Sequence, residues 1–241
     1  MTPGQGGDGL AAQNANWRFK GDVVSGFDAH ITKSVPFYAA AQDLVVRTSD
    51  FFVGDGSLIY DLGTSTGALA LKLAAHHAHR DGVRVVGIDQ EADMVAAAEQ
   101  KLAAAGLGNL EFVIDDIAHT PLAPCDLIVA FYTLQFIRPR IRQQVFDRIY
   151  QALNWGGALV LFEKVRAPDA RFQDIATALY TDFKLEQGYS PDEIVGKTRS
   201  LKGVLEPFST AGNRDLLGRA GFVDLMSIFK YVSFEGVLAI K

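Results

Sequence analysis

The sequence contains only one cysteine among its 241 residues, Cys125. A single cysteine excludes an internal disulfide and a zinc site made of several thiolates. No apolar run approaches the ~20 residues of a membrane-spanning helix, and the polar, glycine-rich residues 1–16 lack the basic-then-apolar pattern of a secretory signal. We therefore expect a cytoplasmic protein with no membrane partner, in which Cys125 is a buried, inert thiol just before a strand.

A strong charge of either sign is also absent. The chain has 23 basic and 28 acidic residues, which give a net charge of −5. This balance argues against a broad nucleic-acid-binding face, so we expect a small-molecule substrate and no direct contact with nucleic acid. Hydrophobic residues make up 49% of the chain, enough for one large core, and the length is compatible with a single domain.

What the sequence does have is a regular alternation of short β-branched runs and longer helical patterns from Ser57 onward. This alternation predicts an α/β fold with a doubly wound, Rossmann-like parallel sheet of seven strands. The predicted strands are 58–62, 84–88, 110–114, 126–130, 158–163, 223–231 and 233–240, and the predicted helices between them are 68–79, 93–105, 140–153 and 213–220. The last two strands are joined by so short a connection that we expect an antiparallel hairpin at the C-terminus.

Two segments lie outside this alternation and read as helical additions. We expect one domain over residues 1–241, divided into an N-terminal helical lid (17–55), a cofactor-binding core (57–165), a helical insertion (167–207), and the last helix with the hairpin (208–241). In open α/β sheets the ligand lies beyond the carboxyl ends of the strands, so such additions form lids and substrate walls. Trp17, Phe19, Phe27, Phe37 and Tyr38 make the lid rich in aromatic side chains that pack on the core or over a ligand.

A glycine turn follows the first predicted strand and opens a helix. Such a turn brings backbone amides and the positive end of the helix close to a nucleotide-like ligand. Ser65 stands where a dinucleotide fingerprint has its middle glycine, which disfavours a pyrophosphate. Asp89 ends the second strand, where an acid accepts hydrogen bonds from both ribose hydroxyls, and Asp116 follows the third. These positions together predict a nucleoside-containing cofactor.

The turn Asp61-Leu-Gly63-Thr-Ser-Thr-Gly67 resembles the hallmark of the class I S-adenosylmethionine-dependent methyltransferases, and the resemblance extends from about residue 17 to the end of the chain. It implies S-adenosylmethionine as the cofactor. The residues that the resemblance assigns to it are Gly63, Thr64, Ser65 and Gly67 around the methionine part, Asp89 and Gln90 at the ribose, and Asp116 and Ile117 at the adenine. A terminal antiparallel hairpin is also typical of that family.

Several stretches are similar to a narrower branch, the carboxy-S-adenosylmethionine synthases of wobble-uridine tRNA modification. The similar stretches are 34–38, 60–63, 133–136, 154–164, 182–184 and 188–190. This branch takes prephenate, releases carbon dioxide from it and captures that carbon on the methyl group of S-adenosylmethionine. By this resemblance Tyr38 contacts the sulfonium side of the cofactor, and Thr133 and Gln135 line the floor of the pocket. A guanidinium is the best partner for the new carboxylate.

The sequence departs from this branch at two places. The branch has an asparagine shortly before Thr133, whereas this chain reads Ala130-Phe131-Tyr132, so Phe131 takes the place of a polar cofactor contact. The essential arginine of the branch belongs to a Lys-Arg pair, whereas here Arg199 is displaced by one residue. One residue turns a helical side chain by ~100°. Arg199 toward the cofactor favours the synthase, and Arg199 toward solvent favours an ordinary methyltransferase.

Methyl transfer from a sulfonium depends mainly on positioning, and a general base is optional. The candidates for a base are His30, Tyr38, Tyr132, Tyr180 and Tyr189. The alternative interpretation of His30 is a partly buried surface residue. We assign the candidate catalytic roles to Tyr38, Arg199 and His30.

Two further clusters are interpreted without a functional role. Arg138, Arg140 and Arg142 read as the solvated start of a helix. His76, His77 and His79 do not predict a metal site, because adjacent helical side chains diverge and no carboxylate is expected near them. We therefore expect no metal.

Taken together, the sequence predicts an S-adenosylmethionine-dependent methyltransferase. Its acceptor is a small aromatic or carboxylate-bearing molecule, bound between residues 17–38 and 180–205. The first alternative is a carboxy-S-adenosylmethionine synthase, whose product cofactor would be carboxy-S-adenosylmethionine. The second is a non-catalytic cofactor-binding protein. Helical lids of this kind often pair across a two-fold axis, so we also expect a homodimer.

Overall fold

The computed structural model describes residues 4–5, 11–12 and 22–241. At the N-terminus, β1 (Gly4–Gln5) and β2 (Ala11–Ala12) pair antiparallel, and two helices follow, α1 (Asp22–Ser34) and α2 (Tyr38–Ser49). Trp17 and Phe19, which we expected in the aromatic lid, lie outside the described residues. None of the helices in the described part is long and apolar enough to cross a membrane.

A seven-stranded sheet forms the centre of the protein. Its strands are β3 (Leu58–Leu62), β4 (Arg84–Asp89), β5 (Leu110–Ile114), β6 (Cys125–Phe131), β7 (Leu153–Lys164), β8 (Asp224–Tyr231) and β9 (Phe234–Ile240). They lie in the order β5-β4-β3-β6-β7-β9-β8. The first five strands are parallel and β9 runs antiparallel to both β7 and β8. The predicted doubly wound sheet with a terminal hairpin is confirmed.

Six more helices cover this sheet. They are α3 (Ala68–His76), α4 (Ala92–Ala105), α5 (Pro139–Ala152), α6 (Ala170–Glu186), α7 (Pro191–Ser200) and α8 (Thr210–Ala220), with a 3-10 turn at Leu134–Phe136. α6 and α7 form the predicted helical insertion. α7 begins with a capping box in which Ser190 and Glu193 satisfy each other's backbone amides, which is why the chain re-enters a helix directly after Tyr189.

The core is divided into two apolar clusters by the alternation of side chains along the strands. On β3, Ile59 belongs to one cluster and Tyr60 to the other. The first cluster includes side chains of α2 and α3, and the second includes side chains of α5 and α8. Cys125 is completely buried as the first residue of β6, rather than just before the strand, and burial raises the pKa of its thiol to about 12. A thiol in this state is inert.

Two predicted boundaries are wrong for identifiable reasons. The helix predicted over 68–79 ends at His76, because His77 leaves the helical conformation and its ring turns inward, where Nε2 lies 2.7 Å from Ser49 Oγ. The strand predicted over 158–163 begins at Leu153, which pairs with Cys125 across an irregularity in the register. The glycines after Trp155 concealed this extension, since glycine is a weak strand former.

The expectation that no carboxylate lies near the histidine cluster is also wrong. Asp50, the residue after α2, brings Oδ1 to 2.9 Å from His76 Nε2. Asp50, His76 and His77 offer ligand atoms that lie within 4.8 Å of one another. Both ring nitrogens of His77 already have protein neighbours, Ser49 Oγ at Nε2 and Arg80 Nε at Nδ1. The cluster fastens α3 to α2.

We predict that His77 makes the protein less stable as the pH falls from about 6.5 to 4. Burial, followed by the nearby His76, lowers the pKa of His77 to about 4. The unfolded chain therefore binds more protons than the folded one throughout this window, and the free energy of unfolding decreases as the pH falls. His77→Gln should flatten this dependence in chemical denaturation at a series of pH values.

The matched control is His79→Gln, which removes an exposed histidine of the same segment. It should lose stability in parallel with the wild type. A wild-type curve that is flat between pH 6.5 and 4, or an equal slope in all three proteins, would contradict the prediction.

Candidate active site

A cavity of about 760 Å³ opens at the carboxyl ends of the parallel strands. α1 and α2 contribute one wall through Phe27, Ile31 and Tyr38, and the helical insertion contributes the opposite wall through Tyr180 and Leu201. Its volume falls in the range of small-molecule and cofactor sites. Of the predicted site residues, it is lined by His30, Tyr38, Gly63, Thr64, Ser65, Asp89, Gln90, Asp116, Ile117, Phe131 and Gln135.

The turn after β3 has the backbone of a close-approach loop. Gly63, Ser65 and Gly67 have φ values of 75°, 54° and 76°. A Cβ on Gly63 would lie 2.2 Å from Thr133 Cγ2, so only glycine fits there. Ser65 adopts the left-handed conformation that its glycine counterpart in a dinucleotide turn would adopt, although it is not a glycine. Gly67 does not line the cavity and instead begins α3 against Phe112.

Asp89 lies where a ribose-binding acid is expected. Its Oδ2 accepts from Ser65 N at 2.8 Å and its Oδ1 accepts from Glu91 N at 3.0 Å. Burial raises the pKa of this carboxyl. Because a carboxylate has about four acceptor positions, both oxygens keep capacity for a ligand hydroxyl. Asp116 follows β5 and caps its own turn through Ala118 N at 2.8 Å.

Asp61 lies beneath the turn and is almost completely buried. Its Oδ2 accepts from Thr64 Oγ1 at 2.8 Å, which orients the turn from below. Burial, with a smaller contribution from the neighbouring Asp89, raises the pKa of Asp61 to about 7. Such a carboxyl responds strongly to a cation bound above it, because a positive charge stabilises its ionised form.

Aromatic side chains form the wall where the narrower branch has an asparagine. The rings of Tyr38 and Phe131 meet edge to face with centroids 5.3 Å apart, and burial raises the pKa of Tyr38. Tyr132 has a φ of 61°, which is rare for an aromatic residue, and its buried hydroxyl has no hydrogen-bond partner among the described residues. Strained residues of this kind cluster at functional sites. Nothing in the sequence signalled this strain.

Gln135 lines the cavity, but its amide bonds the protein backbone at both ends. Nε2 donates to Tyr132 O at 3.0 Å and Oε1 accepts from Lys164 N at 2.9 Å. Gln135 therefore fixes the loop after β6 to the end of β7. Thr133 packs against Gly63 from the same loop.

His30 is buried rather than partly exposed on the surface. Its Nδ1 lies 3.2 Å from Tyr189 OH, and its Nε2 contacts Lys197 Nζ. Tyr189 OH in turn lies 3.2 Å from Ser34 Oγ. This network joins α1 to the insertion at the edge of the cavity.

Arg199 lies on the solvent side of α7. It is exposed and borders a shallow groove with Leu185 and Val195, outside the main cavity. Lys197, two residues earlier on the same helix, is buried and lines the main cavity. The position directly after Lys197, where the arginine of the Lys-Arg pair would stand, is Thr198, which lines the main cavity and carries no charge.

Arg142 was expected at a solvated helix start, and this interpretation is wrong. Arg142 is 1% exposed, and its guanidinium donates to Gln135 O, Ile137 O and Glu206 O. It also lies 4.4 Å from the centroid of the Phe208 ring. Arg142 therefore ties the loop after β6 to the segment that follows the insertion.

Sequence reasoning also missed the lysines of the cavity, Lys164, Lys184 and Lys197. Lys164 ends β7, Lys184 lies in the last turn of α6 and Lys197 lies in α7. Each falls within or near a stretch shared with the narrower branch. Lysine side chains are usually solvated, so the periodicity of apolar residues could not identify these three as buried in a cavity.

Comparison with known proteins points in the same direction. Residues 59–157 match a family model described as a methyltransferase domain. Carboxy-S-adenosyl-L-methionine synthase of Campylobacter jejuni subsp. doylei is 37% identical over 97% of this chain and 99% of its own length. The protein of that name from Staphylococcus epidermidis is 34% identical over 93% of this chain and 97% of its own.

A solved structure supports the fold. A putative S-adenosyl-L-methionine-dependent methyltransferase of Methanococcus maripaludis superposes with a TM-score of 0.61 at 17% identity, covering 95% of this chain and 96% of its own.

We predict that Asp89→Ala weakens the binding of S-adenosylmethionine by about 10- to 100-fold. The variant removes a charged acceptor, and hydrogen bonds to charged groups contribute about 1.5–3 kcal/mol. Isothermal titration calorimetry measures this change. Glu99→Ala, which removes an exposed acid of α4, is the control and should bind as the wild type does. Equal affinities for the two variants would contradict the role of Asp89.

Proposed function

The chain belongs to the carboxy-S-adenosyl-L-methionine synthase family of S-adenosylmethionine-dependent enzymes with the methyltransferase fold, and we propose that it forms carboxy-S-adenosylmethionine from S-adenosylmethionine and prephenate. It is an S-adenosylmethionine-dependent transferase. The observation that carries the finer proposal is the division of the cavity into an acidic and a basic half.

The acidic half suits a cationic nucleoside cofactor. The acids that line the cavity are Asp61, Asp89, Glu91 and Asp116. All of them follow or end β3, β4 and β5, on one side of β6. S-adenosylmethionine carries a positive sulfonium and ribose hydroxyls, both of which carboxylates stabilise. We assign to the cofactor Tyr38, Gly63, Thr64, Ser65, Asp89, Gln90, Asp116, Ile117, Phe131 and Gln135, while Gly67 acts only by starting α3.

The basic half suits an anionic second reactant. The cations that line it are Arg138, Lys164, Arg166, Lys184, Lys197 and Lys202. They come from the loop after β6, from the end of β7 and from the insertion. In the strand order β7 lies on the other side of β6 from the strands that carry the acids. A neutral acceptor needs no such surroundings, whereas a dicarboxylate such as prephenate is stabilised by them.

The overall reaction is balanced. S-adenosylmethionine supplies a methyl group whose C–H bonds are acidified by the positive sulfur. Prephenate loses one carboxylate as carbon dioxide and its ring hydroxyl as hydroxide, which leaves phenylpyruvate. The carbon of the carbon dioxide joins the methyl carbon, and the proton released there combines with the hydroxide to give water.

The protein contributes to the reaction by positioning the two reactants and by excluding water from the cavity. The buried walls around Tyr38, Phe131 and Tyr180 keep bulk water from the reacting carbon. The backbone of the turn after β3 and the cations of the basic half hold the two reactants side by side. Proximity of this kind supplies several kcal/mol of the barrier reduction. His30 is the buried base nearest to the lysines and a candidate to hold a proton.

Methyl transfer to a carboxylate-bearing aromatic acceptor is the second candidate. It is favoured by the position of Arg199 on the solvent side of α7, since the Arg199 guanidinium does not line the main cavity. Phe131 in place of an asparagine also makes the cofactor wall more apolar. Both candidates use the same two halves of the cavity.

We predict that incubation with S-adenosylmethionine and prephenate yields carboxy-S-adenosylmethionine and phenylpyruvate in equal amounts. Mass spectrometry of the denatured protein and of the reaction mixture measures both. Omission of prephenate is the control and should leave S-adenosylmethionine unchanged. Formation of S-adenosylhomocysteine with carboxylate-bearing aromatic acceptors, without carboxylated product, would establish the second candidate. Bound cofactor without turnover in any mixture would indicate a non-catalytic binding protein.

We also propose that the protein works in the cytoplasm as a homodimer. α6 exposes Phe172, Ile175 and Leu179 at helical spacing, and the exposed Leu185 of α6 and Val195 of α7 line one shallow groove, so the insertion presents apolar surface. Light scattering should give twice the mass of the chain, and Leu179→Lys should shift it toward the monomer. Thr177→Lys, a charge on the same helix outside this row, is the control. A wild-type monomer at micromolar concentration would reject the dimer.

A further inference from the structure

Two lysines of the basic half converge on one aromatic ring. Lys164 Nζ lies 4.0 Å from the centroid of the Tyr180 ring, and Lys184 Nζ lies 5.1 Å from the same centroid. The first comes from the end of β7 and the second from the last turn of α6. Lys184 is only 4% exposed, yet both side chains line the cavity. A strand and the helix that follows it in the chain thus bring two ammonium groups to one ring.

Among the described residues, neither ammonium group has an anionic partner. Within residues 22–241, no salt bridge or hydrogen bond involves Lys164 Nζ or Lys184 Nζ, and their close neighbours are the rings of Tyr180, Tyr189 and Phe234. A cation over a ring is stabilised, but an ammonium group has three N–H donors that a ring does not satisfy. Buried donors that face a cavity are suited to an acceptor in that cavity.

The neighbouring carboxyl does not neutralise the lysines. Glu163 precedes Lys164 on β7, so its side chain points to the opposite face of the sheet. There it is buried beside Arg142 and the backbone amides of Leu134 and Gln135. Burial raises the pKa of Glu163 to about 8, and the carboxyl is largely neutral below that pH.

Burial and mutual repulsion also act on the lysines themselves. Burial, then the nearby Lys184, Arg166 and Lys202, lowers the pKa of Lys164 to about 7. Burial lowers the pKa of Lys184 to about 8. An anion between the two ammonium groups would reverse this effect, because an opposite charge stabilises the protonated form.

The Tyr180 ring, which both lysines contact, is fixed in position. Tyr180 OH donates to Ser34 O at the end of α1 at 2.8 Å, and its ring stacks on Phe183 and meets Phe234 edge to face. The two ammonium groups therefore pack against an aromatic ring that is held in place. Preorganisation of this kind reduces the entropy lost when a ligand binds.

We propose that Lys164 and Lys184, both held against the Tyr180 ring, form the subsite for a carboxylate of the second substrate. This inference rests on the proposed function, since it gives the anionic reactant its place in the basic half. The ligand it fits is a small carboxylate whose cyclic, apolar body lies along Tyr180 and Phe234. The subsite lies across β6 from the acids that we assign to the cofactor.

The test uses lysine-to-methionine variants, which keep the length of the side chain and remove its charge. Lys164→Met and Lys184→Met should each weaken binding of phenylpyruvate by at least ~10-fold, measured calorimetrically with S-adenosylhomocysteine present so that no reaction occurs. Affinity for S-adenosylmethionine should change less than ~2-fold. Lys164→Arg and Lys184→Arg should retain most of the binding. The matched control is Lys33→Met, which removes an exposed lysine of α1 outside the cavity and should bind phenylpyruvate as the wild type does.

The outcomes separate this subsite from the proposed function. If the wild type forms no carboxylated product but binds phenylpyruvate through both lysines, the subsite stands and the proposed reaction fails. If both methionine variants lose S-adenosylmethionine affinity equally, the lysines hold the cofactor's own carboxylate and the subsite is wrong. Wild type that does not bind phenylpyruvate, or variants that bind it as the wild type does, also overturn it.

Thermal unfolding distinguishes a ligand-binding role of Lys164 and Lys184 from a purely structural role. Removing a buried charge that has no counterion should leave the melting temperature of the ligand-free protein unchanged or higher. A large fall in melting temperature with unchanged affinity for phenylpyruvate would show that the lysines are structural and would overturn the subsite.

Discussion

The contact between Gly63 and Thr133 is the constraint on which the arrangement of the cavity depends. The space that a Cβ of Gly63 would need is filled by the Thr133 side chain, so the turn after β3 and the loop after β6 are pressed together. From Thr133 the same loop continues to Gln135, whose amide is bonded to the end of β7 at Lys164. Arg142 then joins this loop to Glu206 after the insertion. One short loop thereby sets the distance between the two halves of the cavity.

Buried charge is the second constraint, and it separates the two halves. Acids gather at the ends of β3 to β5 and cations at β7 and the insertion, with β6 between them. If the two sets could meet, they would pair and neutralise one another, and the cavity would lose its selectivity for charged ligands. The rigid sheet keeps them apart, so each set remains available to a reactant of opposite sign. The protein bears the desolvation of Lys164 and Lys184 when no ligand is present, a cost typical of functional sites.

The sequence allowed the fold and the cofactor half to be predicted because both depend on local patterns. Strand and helix periods identified the sheet, and Asp89 could be found because strand ends in a parallel sheet share one edge. The basic half depends on contacts between distant elements. Nothing local distinguishes Lys184 in α6 from a solvated lysine, or Arg142 from the exposed Arg140 two residues earlier. Asp50 near His76 escaped notice for the same reason, since the two residues belong to different helices.

The cation that α7 presents to the cavity is a lysine, and this determines how the site can bind an anion. A guanidinium binds a carboxylate through a planar fork and keeps its charge at any physiological pH, whereas a lysine is a point charge with three rotatable donors. In this chain Arg199 points outward and Lys197 points inward, beside the lysines of β7 and α6. Point charges packed against a fixed ring determine where a carboxylate lies more than how it is oriented. In the proposed subsite the orientation of the second reactant therefore depends on its apolar body against Tyr180 and Phe234, and on the guanidinium groups of Arg138 and Arg166 that line the same half of the cavity.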